Sequence, residues 1–335
     1  MKQLIVTCLP SFYKNIAFEK ISEKGILKVF FTFDSKIKRE GDFFNNGLGN
    51  DKIIKKTDGI LNNLKNLYVE SKTAEYVTLG GWDDLYFWFL RLTVPKRKLR
   101  LIVESSIYEF NDSALTPLKK FFVKGISECI VSGKPHFELV KYLGFKGKIT
   151  ISKGVGVLDF DYDPLTKSRP NKVRNFLYVG RISEDKGVDL LFSFFEKKPE
   201  LHLNIVGSIE DAKYLDVIST LHNVTYCGYK NRNELKDIFT ANDVFILASR
   251  IEPWGLVIEE ALYHGLPVVV SSRVGCSLDL VKGYDTGQVF AVDNLMDLTE
   301  KIEKITDIGQ YMIHCKNINS IDFKEMSNNY VNCFL

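Results

Sequence analysis

The sequence predicts two Rossmann-like α/β domains that face each other across a cleft. The length of 335 residues exceeds the usual limit of a single hydrophobic core. Hydrophobic residues make up 45% of the chain and charged residues 26%, as in ordinary globular proteins. In both halves, short β-branched runs alternate with segments of helical period, which is the pattern of repeated βα units around a parallel sheet.

Short apolar and β-branched runs predict six strands in each half. In the first half they lie at residues 4–8, 27–33, 76–79, 99–103, 128–132 and 148–152. In the second half they lie at residues 176–180, 203–206, 224–227, 244–248, 267–271 and 288–291. Ligands of open α/β sheets bind at the carboxyl ends of the strands, so we expect functional side chains on the loops that follow them.

The predicted domains are residues 1–155 and residues 173–312. A linker is predicted at 156–172, where Pro, Asp, Lys and Ser replace the periodic apolar residues. Residues 313–335 are predicted to form a C-terminal helix that packs back on the first domain, because the tail at 321–335 is amphipathic.

The composition indicates a reducing, cytoplasmic setting and no metal site. The six cysteines are scattered, without a C-x-x-C pair or a nearby His at metal-ligand spacing. Asp159, Asp161 and Asp163 alternate in the predicted linker and are interpreted as a solvated acidic loop, since no further ligands are visible. The opening apolar stretch is interpreted as a strand rather than a signal peptide, and the aromatic run at 85–90 is far shorter than the roughly 20 residues that cross a bilayer.

Charge is distributed unevenly between the halves. Residues 1–150 contain 25 basic and 16 acidic side chains, a net charge of +9, whereas the remainder contains 20 and 26, a net charge of −6. A basic first half suits an anionic membrane surface or a phosphate-bearing acceptor. A solvated Lys-rich surface is the alternative.

The first informative motif is GRISEDKG, which begins at the end of a predicted strand and contains Gly180, Arg181, Lys186 and Gly187. A helix is predicted to start near Gly187. A guanidinium and an ammonium in this arrangement can surround one diphosphate, the first through bidentate hydrogen bonds and the second as a point charge. Solvated loop side chains are the alternative for this motif taken alone.

The second motif spans residues 249–272, where a strand leads through a turn containing Gly255 into a helix. Unpaired backbone N–H groups and the positive end of the helix dipole make such a start an anion site. Ile258, Ala261 and Leu262 share the sheet-facing stripe, so Glu260 is predicted to point the other way, toward a ligand. A purely structural interaction of the acidic residues with the dipole is the alternative, and the upstream cations argue against it.

Together these segments resemble the retaining GT-B glycosyltransferases of family 4. The segments that carry the resemblance are G-R-x-x-x-x-K-G at 180–187, IVG at 205–207, NDVFILAS at 242–249 and EPWGLVIEEALYHGLPVV at 252–269. Glu252 and Glu260 form the family's E-x7-E element. The resemblance is strong over residues 173–305 and looser before them.

The resemblance implies that the domain 1–155 binds the acceptor and that the domain 173–312 binds the sugar nucleotide. It also implies roles for individual residues. Arg181 and Lys186 would neutralise the donor diphosphate and stabilise the departing nucleotide. Glu252 would bind hydroxyls of the transferred sugar, and Glu260 would bind the ribose. The remaining donor-binding positions are Gly180, Tyr229, Lys230, Trp254, Gly255, Leu256 and Val257. The resemblance implies neither a metal nor another cofactor.

The first half departs from the family pattern. The loop after the first strand reads LPSFYKN, without the Gly-Gly pair that many members carry. Glu104 follows the predicted strand at 99–103, where many members place a His or Asp, and it is the candidate acceptor-side acid or base. His136, at a predicted helix start, is either a phosphate contact or a local structural residue.

The turn formed by Gly81, Trp82 and Asp83 follows another strand end and resembles an acceptor-side turn of some polysaccharide transferases. A tight turn in which Asp83 caps the next helix is the alternative.

A possible membrane contact lies in the aromatic segment 83–100, which ends in a basic cluster that includes Lys96, Arg97 and Lys98. Aromatic side chains beside cations are typical of an interfacial membrane contact. A buried helix followed by a basic turn is the alternative.

The sequence therefore predicts a metal-independent hexosyltransferase that moves a sugar, with retention, from a UDP- or GDP-sugar to a saccharide acceptor. The resemblance favours a lipid-linked acceptor in bacterial surface polysaccharide or O-antigen synthesis, on the inner face of the cell membrane, with no nucleic acid partner. A sugar-nucleotide epimerase or phosphorylase of the same fold, or a nucleotide-binding protein without catalysis, are the alternatives.

Overall fold

The structure, a computed structural model, describes residues 1–32, 47–154 and 169–335. The chain divides into two compact units, Met1–Leu158 with Glu325–Leu335, and Asp159–Lys324. Each unit contains a six-stranded parallel sheet with helices between the strands, which confirms the predicted α/β fold class. Most of the predicted linker, together with Asp159, Asp161 and Asp163, lies outside the described residues.

The first unit alternates strands and helices along the chain. Its strands are β1 (Lys2–Thr7), β2 (Ile26–Phe31), β3 (Tyr76–Leu79), β4 (Leu99–Val103), β5 (Glu128–Val131) and β6 (Lys148–Ile151). Its helices are α1 (Phe12–Ser22), α2 (Ile60–Thr73), α3 (Leu85–Thr93), α4 (Thr116–Lys124) and α5 (Lys134–Tyr142).

The second unit has the same alternation. Its strands are β7 (Asn175–Val179), β8 (His202–Val206), β9 (Val224–Tyr226), β10 (Val244–Leu247), β11 (Val268–Ser271) and β12 (Gly287–Phe290). Its helices are α6 (Val188–Phe195), α7 (Lys213–Thr220), α8 (Arg232–Ala241), α9 (Leu256–Tyr263), α10 (Lys282–Tyr284), α11 (Leu295–Thr306) and α12 (Ile308–Asn319). The last helix of the chain is α13 (Phe323–Asn332).

The strand orders are β2-β1-β3-β4-β5-β6 in the first unit and β12-β11-β10-β7-β8-β9 in the second. In the first sheet the chain moves from β1 to β2 in one direction and from β2 to β6 in the other. Because parallel crossovers are right-handed, this reversal puts α1 on one face of the sheet and α2 to α5 on the opposite face. In the second unit, β7 and β10 are neighbours, so the loops that follow them lie side by side.

Two apolar clusters cover the two faces of the first sheet. Leu67, Phe87, Phe122 and Leu139, from α2 to α5, belong to one cluster. Phe18 of α1 belongs to the other, where it joins Val331 and Phe334 of the C-terminal segment. All seven of these side chains are nearly inaccessible to solvent, as full burial of both sheet faces requires.

The C-terminal segment is fixed to the first unit by hydrogen bonds as well as by apolar packing. Gln3 Nε2 donates to the Phe334 carbonyl at 2.6 Å, and Arg100 Nη1 donates to the same oxygen at 2.9 Å. The Arg100 guanidinium also pairs with Glu128, with Nε and Oε2 3.0 Å apart, and both side chains are buried. Of the predicted tail at 313–335, residues up to Asn319 form the end of α12 in the second unit, and only the last eleven residues join the first.

In the described parts of the chain, no helix has the length and apolar character needed to cross a membrane.

Candidate functional site

The two sequence motifs meet at the carboxyl ends of β7 and β10. Lys186 lies in a single turn of 3-10 helix, Glu184–Lys186, before α6, and Glu252 lies in the loop after β10. Lys186 Nζ is 2.7 Å from Glu252 Oε2, and both side chains are mostly buried, with 14% and 18% exposure. Residues 66 positions apart in sequence therefore form one ion pair at the edge of the sheet.

The loop that carries Glu252 is fixed by backbone hydrogen bonds to the segment after β11. Gly275 N donates to Glu252 O at 2.9 Å, and Cys276 N donates to Trp254 O at 2.9 Å. The chain then enters α9 through Gly255, whose φ of +98° is in the left-handed region that favours glycine. Among the described residues, no side chain caps the start of this helix at Gly255. The first N–H groups of α9, those of Leu256 and Val257 included, are therefore directed toward the preceding loop.

Arg181 pairs with a different carboxylate from the one that Lys186 contacts. Its guanidinium forms an ion pair with Glu210, in the loop after β8, and 57% of its side chain is exposed. Its carbonyl accepts a hydrogen bond from the buried Tyr178 hydroxyl at 2.5 Å. The strand end at Gly180 is tight, because a Cβ added at Gly207 would stand 1.9 Å from the Gly180 carbonyl oxygen.

Glu260 lies on α9 opposite the buried stripe of Ile258, Ala261 and Leu262, as predicted, and is partly exposed. Burial raises the pKa of its carboxyl to about 7, and Arg232, at the start of α8, opposes this shift.

Trp254 was predicted to contact a donor, but its side chain is 6% exposed. Its indole N–H donates to the carboxylate of Glu259, which is buried as well. The indole is therefore directed into the protein in this structure, and a donor contact of Trp254 stays a prediction. The side chain fixes the loop to the helix that follows it.

The predicted donor-binding residues Tyr229 and Lys230 follow β9. Gly228 has a φ of +72°, and the Tyr229 ring that follows it is 42% exposed. Lys230 pairs with Glu234, with Nζ and Oε1 3.4 Å apart. Asn231 and Glu234 form a reciprocal capping box that fixes the start of α8.

In the first unit, Glu104 is paired with a lysine that the sequence analysis did not select. Lys14 Nζ, on α1, is 2.6 Å from Glu104 Oε1, after β4, and 3.4 Å from Thr7 Oγ1, at the end of β1. The Lys14 side chain is 8% exposed and that of Glu104 is 51% exposed. Desolvation alone would lower the pKa of Lys14, but the Glu104 carboxylate raises it above its usual value.

Other predicted acceptor-side residues lie around this pair. Asp83, Lys14 and Glu104 all act electrostatically on the Cys8 thiol, whose pKa is raised by burial to about 11. His136 is fully buried, and burial lowers its pKa to about 4 against a hydrogen bond with the Glu104 backbone. The ring is therefore neutral at pH 7 and inaccessible to solvent, so the predicted phosphate contact of His136 is wrong and the structural alternative holds.

The turn with Gly81, Trp82 and Asp83 precedes α3. The helix cap is Asp84 rather than Asp83, because Asp84 Oδ1 accepts from Tyr86 N at 2.8 Å. The Trp82 carbonyl accepts the Trp88 indole N–H at 2.9 Å, which ties the turn to the helix.

In the basic cluster after α3, Lys96 and Arg97 are exposed. Lys98 donates to the carbonyls of Lys72, at 3.1 Å, and Ala74, at 2.6 Å. Lys98 therefore stabilises the end of α2, which distinguishes it from its two neighbours.

Across the described residues, His, Cys, Asp and Glu side chains form no group of three or more that could hold a metal ion.

Arg250 is a further residue that the sequence analysis did not select, although it lies within the second motif. Its guanidinium contacts Asp189 and Asp293, and its backbone N–H donates to Asp185 O at 2.8 Å. An arginine two residues before Glu252 was the available signal. Its partners lie about 60 and 40 positions away in sequence, and only the fold brings them together.

Comparisons with known proteins define the class. The whole chain superposes on the apo form of the lipopolysaccharide outer core galactosyltransferase WaaB, with a TM-score of 0.74, 16% identity and full coverage of both chains. It also superposes on Anabaena Alr3699/HepE in complex with UDP and glucose, with a TM-score of 0.71, 16% identity and coverage of 100% of this chain and 99% of that one. The chain therefore has the GT-B fold.

The second unit is similar in sequence to one family of glycosyl transferases. A family model described as "Glycosyl transferases group 1" matches residues 165–319. An uncharacterized glycosyltransferase of Methanocaldococcus jannaschii, MJ1607, is 31% identical over 160 residues, which are 46% of this chain and 38% of that protein. The match thus spans well under two thirds of the relative's length. Residues 165–319 are thus similar to a group 1 glycosyl transferase domain.

Proposed function

We propose that this protein is a retaining glycosyltransferase that transfers a hexose from a UDP- or GDP-sugar to a saccharide acceptor. The observation that carries the proposal is the ion pair between Lys186 Nζ and Glu252 Oε2, which are 2.7 Å apart. Glu252 lies in the loop that leads into α9, and Lys186 lies in the turn that leads into α6. An ammonium beside an uncapped helix start is an arrangement suited to a diphosphate. A carboxylate at the same place is suited to sugar hydroxyls.

In this proposal the fixed charges of the second unit take the place of a metal ion. Lys186 and the first N–H groups of α9 hold the diphosphate, while Glu252 orients the transferred sugar and Glu260 the ribose. Arg181 leaves Glu210 to reach the diphosphate. This exchange costs little, because exposed ion pairs contribute only about 0–1 kcal/mol.

The proposed reaction retains the configuration of the sugar. The bond between the anomeric carbon and the diphosphate oxygen breaks, and an acceptor hydroxyl bonds to that carbon on the same face. The hydroxyl proton passes to the departing phosphate, so no protein nucleophile is needed. Positive charge at the diphosphate accelerates this step because negative charge develops there as the bond breaks.

The acceptor belongs to the first unit in this proposal. Glu104 is half-exposed and held by the buried Lys14, so its carboxylate is available to orient an acceptor hydroxyl. A buried lysine contributes little net stability through an ion pair. Perturbed ionisable groups of this kind are concentrated at functional sites.

A lipid-linked acceptor is the form we favour, because the first unit exposes apolar and basic side chains together. On α4 and the residue before it, Leu115, Leu118 and Phe121 are 59%, 51% and 51% exposed. The same helix carries Lys119, Lys120 and Lys124, and exposed Lys96 and Arg97 follow α3. This composition suits the surface of an anionic bilayer. Together with the likeness to the lipopolysaccharide galactosyltransferase WaaB, it supports our proposal of bacterial surface polysaccharide or O-antigen synthesis at the cytoplasmic face of the membrane.

The proposal is tested by calorimetric titration with UDP and GDP, followed by incubation with a panel of UDP- and GDP-sugars and a lipid-linked saccharide. We expect one nucleotide to bind, and its sugar to be transferred with release of that nucleotide and retention at the anomeric carbon. Nucleotide binding without turnover of any donor would favour a non-catalytic binding protein. A change of the donor sugar's configuration without transfer would favour an epimerase, and release of sugar phosphate from a saccharide would favour a phosphorylase.

A further inference from the structure

The Arg250 side chain joins three loops at the carboxyl end of the second sheet. Its Nη1 and Nη2 atoms form a bidentate pair with Asp189, at 2.9 Å from Oδ1 and 2.7 Å from Oδ2. Its Nε is 2.8 Å from Asp293 Oδ1, and Nη1 also donates to the Glu184 carbonyl at 2.5 Å. Asp189 lies in the first turn of α6, and Asp293 follows β12.

These bonds hold the turn that carries Lys186. Glu184 and Asp185 are the residues immediately before Lys186, and the carbonyl of each accepts a hydrogen bond from Arg250, the first from the side chain and the second from the backbone N–H at 2.8 Å. Arg250 is itself two residues from Glu252. The loop after β10 therefore holds the turn after β7 through one residue, Arg250, which bonds to it with both its side chain and its backbone.

The guanidinium has little capacity left for a ligand. Of the five N–H donors of an arginine, four are used by the bonds to Asp189, Asp293 and Glu184. An arginine that binds phosphate instead has two parallel N–H groups available for bidentate bonds to its ligand. Arg250 thus has the geometry of a residue that holds other protein groups in place.

The charges reinforce this arrangement. Hydrogen bonding from Arg250 lowers the pKa of Asp189, and the same bonding raises the pKa of Arg250 above its usual value. Isolated surface ion pairs contribute little, but a bidentate arginine within a network of several charges is the exception. The Arg250 side chain is 26% exposed, less than the 52% of each aspartate.

We propose that Arg250 is a positioning residue for nucleotide binding, which fixes the turn 184–187 so that the Lys186 ammonium is held opposite the start of α9. The inference rests on the proposed function, and it adds a residue that acts on the diphosphate only through Lys186. Arg250 is therefore distinct from the residues that touch the donor.

The experiment is a double-variant cycle on nucleotide affinity, measured by calorimetry with UDP or GDP, whichever the wild-type protein binds. We expect Arg250→Met to weaken affinity about tenfold, the scale of a lost network of charged hydrogen bonds. Arg250→Lys, which keeps the charge but not the bidentate geometry, should weaken it as well. In a Lys186→Met background the added effect of Arg250→Met should nearly vanish, because the two residues act through one contact.

Wild-type nucleotide affinity in Arg250→Met would overturn the inference. So would losses of binding free energy in Arg250→Met and Lys186→Met that add fully in the double variant. If Arg250→Met does not fold, judged by circular dichroism, Asp189→Asn in the same cycle removes the bidentate partner and is expected to reproduce the non-additivity. Lys304→Met, which removes an exposed lysine paired with Glu300 on α11, is the control and should bind like the wild type. A wild-type protein that binds neither nucleotide would contradict the proposed function itself.

Discussion

Gly187 lies directly against the carbonyl group of Ala248, so that a Cβ added at Gly187 would stand 2.2 Å from that oxygen. Gly187 also has a φ of +65°, where other residues are strained. This contact lets the turn after β7 approach the end of β10 closely enough for Lys186 to reach Glu252. The Lys186–Glu252 contact therefore depends on glycine at position 187.

We expect Gly187→Ala to destabilise the second unit by about 2–5 kcal/mol, since backbone strain of about 1–2 kcal/mol adds to a collision costing about 1–3 kcal/mol. The matched control is Gly228→Ala, where φ is +72° but nothing lies within 4 Å of the added Cβ. That variant should lose only about 1–2 kcal/mol. Urea unfolding followed by circular dichroism measures both, and equal losses would show that the close contact with Ala248 is unimportant.

Lys186→Met should lower kcat/KM for the donor by about a hundredfold to a thousandfold, as loss of one charge-stabilising donor does in other enzymes. The physical reason is that the departing diphosphate loses a fixed cation and Glu252 loses its partner. Steady-state release of nucleotide from the active sugar nucleotide is the measurement, with Lys304→Met as the control. A decrease smaller than threefold would remove Lys186 from the proposed mechanism.

The raised pKa of Glu260 should make the stability of the protein depend on pH. Its folded-state pKa of about 7 lies above the ordinary value of 4.5, so the folded protein holds a proton that the unfolded chain releases between these values. The protonated carboxyl therefore favours folding at low pH, and this contribution, at most about 3 kcal/mol, is lost as the pH rises from about 4.5 to 7.

Glu260→Gln removes this titration, so its stability should fall less than that of the wild type between pH 5 and pH 7. Parallel urea titrations across that range give the difference. Identical pH profiles for the two proteins would mean that the Glu260 carboxyl titrates normally in the folded state.

Phe121→Glu and Leu118→Glu should weaken binding to vesicles of phosphatidylglycerol, because each puts a negative charge into the exposed apolar part of α4. Co-sedimentation at low and high salt is the assay, and binding of the wild type should decrease as salt screens its lysines. Leu215→Glu, at a comparably exposed position on α7, is the control. Unchanged sedimentation of both α4 variants, or equal loss in the control, would contradict a membrane contact at this helix.

The repeated βα architecture was accessible from sequence because each strand is a short, continuous apolar run. The strand predictions at 76–79 and 99–103 coincide with β3 and β4, whose residues are nearly all buried. The same is true of the helix face with Ile258, Ala261 and Leu262, since helical period alone decides which residues face the sheet.

Side-chain partners were less accessible, because they depend on which strands become neighbours. Lys14 and Glu104 are ninety positions apart, and the predicted loop after the first strand gave no sign that its lysine is buried. The Arg250 side chain contacts three residues, and each of them lies more than 40 positions away in the sequence. The burial of His136 and Trp254 likewise follows from packing between elements, which no local pattern specifies.

The contribution of the last eleven residues to the first unit affects the order in which the protein matures. A ribosome makes residues 1–154, then the complete second unit, and only afterwards the segment that supplies Val331 and Phe334 to the sheet. Until then Arg100 and Gln3 lack the Phe334 carbonyl as an acceptor. The half of the molecule that is translated first is therefore completed last, and during synthesis its unfinished sheet face is a surface for a chaperone to shield.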